Sequence, residues 1–325
     1  MNRVFKLIFG LSLSFFFIWL ISKNIDYKEF LSHLNQAKIS YIFLAIIIFN
    51  LGYSCRIQRW KIMMMQINPK LKWNQCAGPF ISCVAVNNIL PFRAGDILRV
   101  FAFNKRLNTN TSISFSALLF ERLLDLLMLL LFLCFALNYF ELELTKFIGI
   151  SNVTIIFLIL LVSITLFFPF FLKRPLISIF KIIFIFNKTF AIKIQKQIIK
   201  IFYSLEYISR KKNLMKLIFL SFLAWFAEGL VFWVIALSIP EITNNLAAWL
   251  ALPVGSLSTL IPSSPGYIGT FDFFTANSMF VMNNTYSSSV VYAFIVHIVL
   301  WLPPLVLASL YLINNPINFQ FKNYK

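Results

Sequence analysis

Six ionisable residues of alternating sign are gathered within a chain that is otherwise close to hydrocarbon: Arg93, Asp96 and Arg99, then Glu121, Arg122 and Asp125. A charged side chain at the bilayer centre costs about 2.5–3.5 kcal/mol on insertion scales, so such a cluster needs a use. On a helix Arg122 and Asp125, three apart, can pair, whereas Glu121 and Asp125, four apart, repel. Glu121 therefore needs a partner from elsewhere, and Arg93 or Arg99 is nearest in sequence. Guanidinium forks match phosphate oxygens. Two roles follow: arginines held by carboxylates until an anionic lipid head group displaces them, or a buried ion network that only fixes packing. We expect the first.

A second set carries no arginine. Ile261-Pro262-Ser263-Ser264-Pro265-Gly266 repeats the P-x-x-x-G of Leu90-Pro91-Phe92-Arg93-Ala94-Gly95, each after an apolar pair and before an acid, Asp96 or Asp272. Ser263, Ser264, Gly266 and Gly269 offer hydroxyls and close backbone approach where a half-helix would start, a place that suits an anion. Glu228, inside an apolar run with no basic residue close in sequence, is a candidate proton or cation site; a neutral, hydrogen-bonded glutamic acid is the plainer description. His297, alone on another apolar run, is expected to be packed and hydrogen-bonded rather than a ligand. Cys55, Cys76, Cys83 and Cys134 lack metal or disulfide spacing. No metal, cofactor or catalytic set is expected.

These residues must be positioned by membrane-embedded helices. The chain has 325 residues, 60% hydrophobic and 12% charged, with mean hydropathy +0.82, which excludes a soluble globular class. Its 29 basic against 11 acidic residues, net +18, do not point to nucleic acid, because the bases lie in the gaps between apolar runs. Runs of about 20 residues, enough to span a bilayer, cover 4–22, 39–58, 112–138, 151–172, 214–238 and 288–313. The first resembles a signal peptide, but no small-x-small site precedes Lys23, so it is expected to be retained. Residues 23–38 suit either a short interfacial helix or a loop.

Arg3 and Lys6, then Arg56, Arg59, Lys61, Lys70 and Lys72 after the second run, Lys173 and Arg174, and Lys322 and Lys325 mark the cytoplasmic side. The links carrying Glu141, Glu143 and Glu241 then lie outside, and both termini are cytoplasmic. Two apolar pieces remain. Residues 76–92 are interrupted by Gly78, Pro79 and Pro91, and residues 247–282 by Pro253, Gly255, Pro262, Pro265, Gly266 and Gly269. Both read as re-entrant hairpins, dipping in from opposite faces. Interrupted segments at matching positions of two halves are the pattern of an inverted-repeat transporter, and broken backbone at membrane depth needs protein or a wet cavity around it. The alternative is that prolines merely kink two packed helices. The expected fold is all-α and polytopic, about six transmembrane helices plus two oppositely oriented re-entrant hairpins. It forms one integral membrane domain, 1–325, with halves 1–150 and 213–325. Between them, 173–212 forms a basic cytoplasmic segment whose stripe Ile194, Ile198, Ile201, Leu205 and Ile208 opposes Lys193, Lys196 and Lys200. That helix suits an anionic leaflet surface.

The run Pro91-x-Arg93-x-Gly95-Asp96-x-x-Arg99, then Glu121-Arg122-x-x-Asp125, then Pro262-x-x-x-Gly266-x-x-Gly269-x-x-Asp272 resembles the flippase-like membrane-domain family, the transmembrane region of lysylphosphatidylglycerol synthases and its stand-alone relatives. Arg56-x-x-Arg59-Trp60 also fits, and the resemblance covers nearly the whole chain. It implies a lipid-translocating role. Asp96 and Asp272 stand where the pattern leads one to expect glutamate, so both acids reach less far. The soluble aminoacyl-transferase domain is absent from the 325 residues, so synthesis of aminoacylated lipid is not implied. The expected function is therefore a lipid flippase or transporter of the inner membrane, moving an anionic phospholipid or an isoprenoid-phosphate-linked glycolipid. The rivals are an integral-membrane enzyme acting on a lipid phosphate and an accessory subunit of a lipid or glycan synthase. A homo-oligomer or a partner in such biosynthesis stays open.

Overall fold

A computed structural model describes residues 3–23, 25–90, 93–142, 152–171, 173 and 188–315. Pro91, Phe92, Glu143, Arg174, Lys322 and Lys325 lie outside the described residues, as do the side chains of Arg3, Lys6, Lys193 and Ile194. Every regular element among the described residues is helical. In chain order they are α1 (Arg3–Lys23), α2 (Tyr27–Gln36), α3 (Ile39–Met64), α4 (Trp73–Ile89), α5 (Ala94–Phe101), α6 (Asn104–Leu107) and α7 (Thr111–Tyr139). There follow α8 (Asn152–Phe167), α9 (Lys188–Ile208), α10 (Lys211–Ser238), α11 (Ala248–Ser258), α12 (Thr270–Val281) and α13 (Tyr286–Asn314).

A helix thus stands at each of the six apolar runs. By length and composition α3, α10 and α13 can cross a membrane, and shorter apolar helices occupy Gly10–Lys23, Val153–Phe167 and Asn245–Ser258. With 29 residues α13 is about 43 Å long at 1.5 Å per residue, more than the roughly 30 Å of hydrocarbon. Side chains fix several starts. Asp26 accepts from the Lys28 N–H at 2.8 Å to begin α2, and Asn110 accepts from the Ile113 N–H at 3.0 Å to begin α7. Tyr27–Gln36 within the 23–38 segment is therefore helical, and its Phe30 and Leu34 pack on the core beside α13 rather than lying free.

Two pieces fold back on themselves. After α4 the chain turns, and Gly95 packs so tightly that a Cβ there would sit 1.8 Å from the Cys83 carbonyl oxygen. From that contact α5 runs back along α4, carrying Arg99 over the Phe80 ring, and the Leu107 carbonyl then accepts from Asn68 Nδ2 at 3.0 Å, just before α4 began. The second piece does the same: α11 and α12 pack side by side, and Asn244 Nδ2 donates to the Met282 carbonyl at 3.2 Å, joining entrance to exit. Within these pieces Gly78 and Pro79 lie inside α4, and Pro253 and Gly255 inside α11, so they do not interrupt as the sequence reading placed them. Helices in protein-packed surroundings tolerate such residues. Among the described residues the α-helical course breaks off instead at Leu90, before Arg93, and over residues 259–269.

Two further expectations change. Arg56 and Arg59 do not follow a span as loop charges, because α3 continues to Met64 and Arg59 is 0% exposed. The apolar run Ile62-Met63-Met64 extends the buried face past them, which weakens their use as markers of the cytoplasmic side. Likewise α9 does not offer its apolar stripe to a leaflet surface: Ile208 is buried, and α9 packs on α7, with Ser116 Oγ donating to the Ile201 carbonyl at 3.3 Å. Lys196 and Lys200 are exposed on its outer side.

Candidate functional site

Glu121, Arg122 and Asp125 occupy one turn of α7, and α5 lays Asp96 and Arg99 against it. Arg99 reaches Glu121 with both terminal nitrogens, at 3.1 and 3.2 Å. Arg122 donates to Asp96 at 3.0 Å and stands 3.5 Å from Asp125. The expected Arg122–Asp125 neighbourhood is present, and of the two candidates for Glu121 the partner is Arg99. α3 joins the cluster in a way that spacing along the chain does not show: Arg59 donates to Asp125 and to Ser221 Oγ, both at 2.8 Å, and lies 3.6 Å from Glu121. Trp225 Nε1 donates to Asp125 at 3.1 Å. Glu228 pairs with Arg56, a residue distant in sequence that the apolar surroundings of Glu228 gave no means of naming. Arg56 also stacks on the Trp225 ring, 4.5 Å from its centre.

Arg93 differs from these four arginines. It sits at the first break with φ 51°, and Tyr267 sits at the second with φ 61°, both in the left-handed region that non-glycine residues seldom adopt. The two side chains meet: Arg93 Nε donates to Tyr267 Oη at 3.2 Å, and its Nη2 to Thr259 Oγ1 at 3.3 Å. No carboxylate pairs with Arg93 among the described residues. Asn88 and Trp301 brace this meeting point, each donating to the other's carbonyl at 3.2 Å.

These groups surround a cleft of about 800 Å³ whose polar end is lined by Arg56, Arg93, Arg122, Asp125, Glu228 and His297. Its apolar wall comes from α7 and α9, through residues such as Leu119, Leu123, Ile198 and Leu205. Gly266 lines it as well. Asp96, Arg99 and Glu121 stand behind the lining, holding Arg122 and one another. The second set is arranged differently from the sequence reading. Ser264 Oγ turns into its own loop, donating to the Ile268 carbonyl at 3.1 Å, and its N–H goes to Ser14 Oγ at 2.8 Å. Ser263 and Gly269 pack on α1, where a Cβ on Gly269 would lie 2.6 Å from the Ser14 carbonyl oxygen. None of the three lines the cleft. The start of α12 is not free for an anion, since Asp272 itself accepts from the Gly269 N–H at 2.8 Å. The other oxygen of Asp272 holds His297 Nδ1 at 2.6 Å, which makes His297 a packed, hydrogen-bonded side chain that also faces the cleft.

Such an arrangement can hold an anion against arginine while an apolar chain lies along α7 and α9. Comparison with known proteins agrees with a membrane setting. Over 274 residues, 81% of this chain and 81% of the relative, the sequence is 23% identical to a UPF0104 membrane protein of Methanocaldococcus jannaschii. The model of the lysylphosphatidylglycerol synthase TM region matches residues 7–308. By that match the chain belongs to the lysylphosphatidylglycerol synthase TM region family.

Proposed function

We propose that this protein transports an anionic lipid, a phospholipid or an isoprenoid-phosphate-linked glycolipid, between the leaflets of the cytoplasmic membrane. The observation that carries this reading is Arg93. Arg56, Arg59, Arg99 and Arg122 are each held by a carboxylate, whereas Arg93 reaches the cleft with only neutral hydroxyls for partners. A phosphodiester can replace those hydroxyls and gain charge-assisted, bidentate hydrogen bonds. The apolar wall of the same cleft suits the attached chain.

The architecture proposed for this task is six spans with two re-entrant hairpins, α4–α5 and α11–α12, entering from opposite faces as an inverted repeat, with both termini cytoplasmic. The returned ends, Asn68 to Leu107 and Asn244 to Met282, support the hairpins, and the contact of Arg93 with Thr259 and Tyr267 supports tips that meet inside the membrane. The test is leaflet-resolved transport of a lipid panel by purified protein in liposomes. Faster movement of lipids with one phosphodiester charge than of zwitterionic lipids is expected. Equal rates for both classes, or none above empty liposomes, would contradict the reading.

A further inference from the structure

We propose that the Asp272–His297 pair is the proton site of the cleft, and that an anionic head group binds together with one proton on His297. This rests on the head-group reading above and adds what the site does with charge.

The geometry sets the roles of both side chains. Asp272 accepts from the Gly269 N–H on one oxygen and lies 2.6 Å from His297 Nδ1 with the other. Because the carboxylate is an acceptor on both sides, Nδ1 is the donor, and Nε2 of the neutral ring is left as a lone pair. Among the described residues Nε2 has no hydrogen-bond partner. Phe271 fixes the ring edge-on, with centres 5.3 Å apart, and His297 lines the cleft. A carboxylate orienting an imidazole whose second nitrogen faces a polar cleft can take up a proton without rearranging.

Charge makes that proton consequential. In and behind the cleft, the five arginines Arg56, Arg59, Arg93, Arg99 and Arg122 are equal in number to the five acids Asp96, Glu121, Asp125, Glu228 and Asp272, although Arg93 and Asp272 are not paired with one another. With His297 neutral the set carries no net charge; with His297 protonated it carries one positive charge, which one phosphodiester cancels. The other charged side chains around the cleft are held in ion pairs or hydrogen bonds. From α3, α7 and α10 the cleft receives Arg56, Arg122, Asp125 and Glu228, all in ion pairs, and Tyr53; the second break gives Tyr267 and the first gives Arg93. Residues 73–89 of α4 contain no charged residue, and Glu29 and His33 of α2 engage Ser287 and Glu241 instead. Histidine is the side chain type that changes charge between about pH 5 and 8. If a proton strengthens anion binding, the anion strengthens proton binding by the same factor. The loaded cleft then moves its cargo as a neutral unit.

The experiment uses purified full-length protein with short-chain phosphatidylglycerol as probe and phosphatidylcholine as control. Wild type is expected to bind phosphatidylglycerol roughly tenfold tighter near pH 5.5 than near pH 8, and to take up at most about half a proton per bound lipid in weakly buffered solution between those pH values, the most that a tenfold linkage allows. Phosphatidylcholine should elicit neither effect. His297→Gln is expected to bind phosphatidylglycerol at the weaker, high-pH level throughout and to take up no proton. Binding by wild type without a pH step or proton uptake would overturn the inference and leave the head-group reading standing. A pH step retained in His297→Gln would overturn it too, by placing the proton elsewhere. No phosphatidylglycerol binding at either pH would remove the head-group reading and this inference together. Should His297→Gln fail to fold, His297→Asn takes its place in the same measurement, and an absence of proton uptake by wild type would still overturn the inference.

Discussion

The two breaks share a P-x-x-x-G pattern but are built from opposite chemistry. At the first, α5 brings Asp96 and Arg99 into an ion network with Glu121, Arg122, Asp125 and Arg59. At the second, Thr259, Tyr267 and backbone meet Arg93, and the nearby acid, Asp272, serves a helix start and a histidine. Paired buried charges are costly to break, whereas neutral hydroxyls are easily exchanged. On the proposed function, the first break is the fixed side of the site and the surface where the two meet is the side that exchanges contacts with the head group.

The largest contrast is topological and all-or-none. Cysteines replacing the exposed Lys105 and Asn283 should be labelled by an impermeant reagent from opposite sides of the membrane. Labelling of both from one side would break the pairing of oppositely facing hairpins. Next in size is Asp125→Ala, which takes from the wholly buried Arg59 its nearest carboxylate and should cost about 3–5 kcal/mol, read as lost folded protein on heating. Asp272→Asn keeps the shape of the helix cap and should cost only about 1 kcal/mol. Equal losses would erase the proposed difference between the breaks. Gly95→Ala forces α5 off α4, since its Cβ would lie 1.8 Å from a carbonyl oxygen, and overpacking of this kind costs about 1–3 kcal/mol. The same measurement on Gly266→Ala, where φ is 69° and the nearest atom 3.0 Å away, should show the smaller loss, about 1–2 kcal/mol from the left-handed backbone. The smallest effect is Tyr267→Phe. It removes a hydroxyl that competes for Arg93, so phosphatidylglycerol should bind about two- to tenfold tighter, the equivalent of one ordinary hydrogen bond of about 0.5–1.5 kcal/mol. Weaker binding would mean that Tyr267 contacts the lipid itself.

Much of the scaffold was legible because apolar length and helical spacing act locally: a helix stands at each of the six runs, and Arg122 reaches Asp125 as three-residue spacing allows. Partners across the fold were not. Arg59 and Arg56 looked like flanking charges because hydropathy ends a span at its first bases, and only the apolar Ile62-Met63-Met64 beyond them signals that the buried face continues. The partner of Glu228 lies on a helix packed along its own, a relation that spacing within one helix cannot express. Ser263 and Ser264 looked like head-group donors by residue type. Their loop turns the Ser264 hydroxyl onto its own backbone and buries the Ser263 hydroxyl, in a turn with positive φ at Gly266 and Tyr267.

The most direct test is to measure transport and thermal stability together for Arg93→Lys and Arg93→Ala. Because Arg93 has only neutral partners, both variants should keep folded protein within about 1 kcal/mol of wild type. Transport of phosphatidylglycerol should fall at least about tenfold for alanine and less for lysine, which keeps the charge but not the fork. Transport and folded fraction falling in step, or wild-type transport by both variants, would contradict a head group held at Arg93.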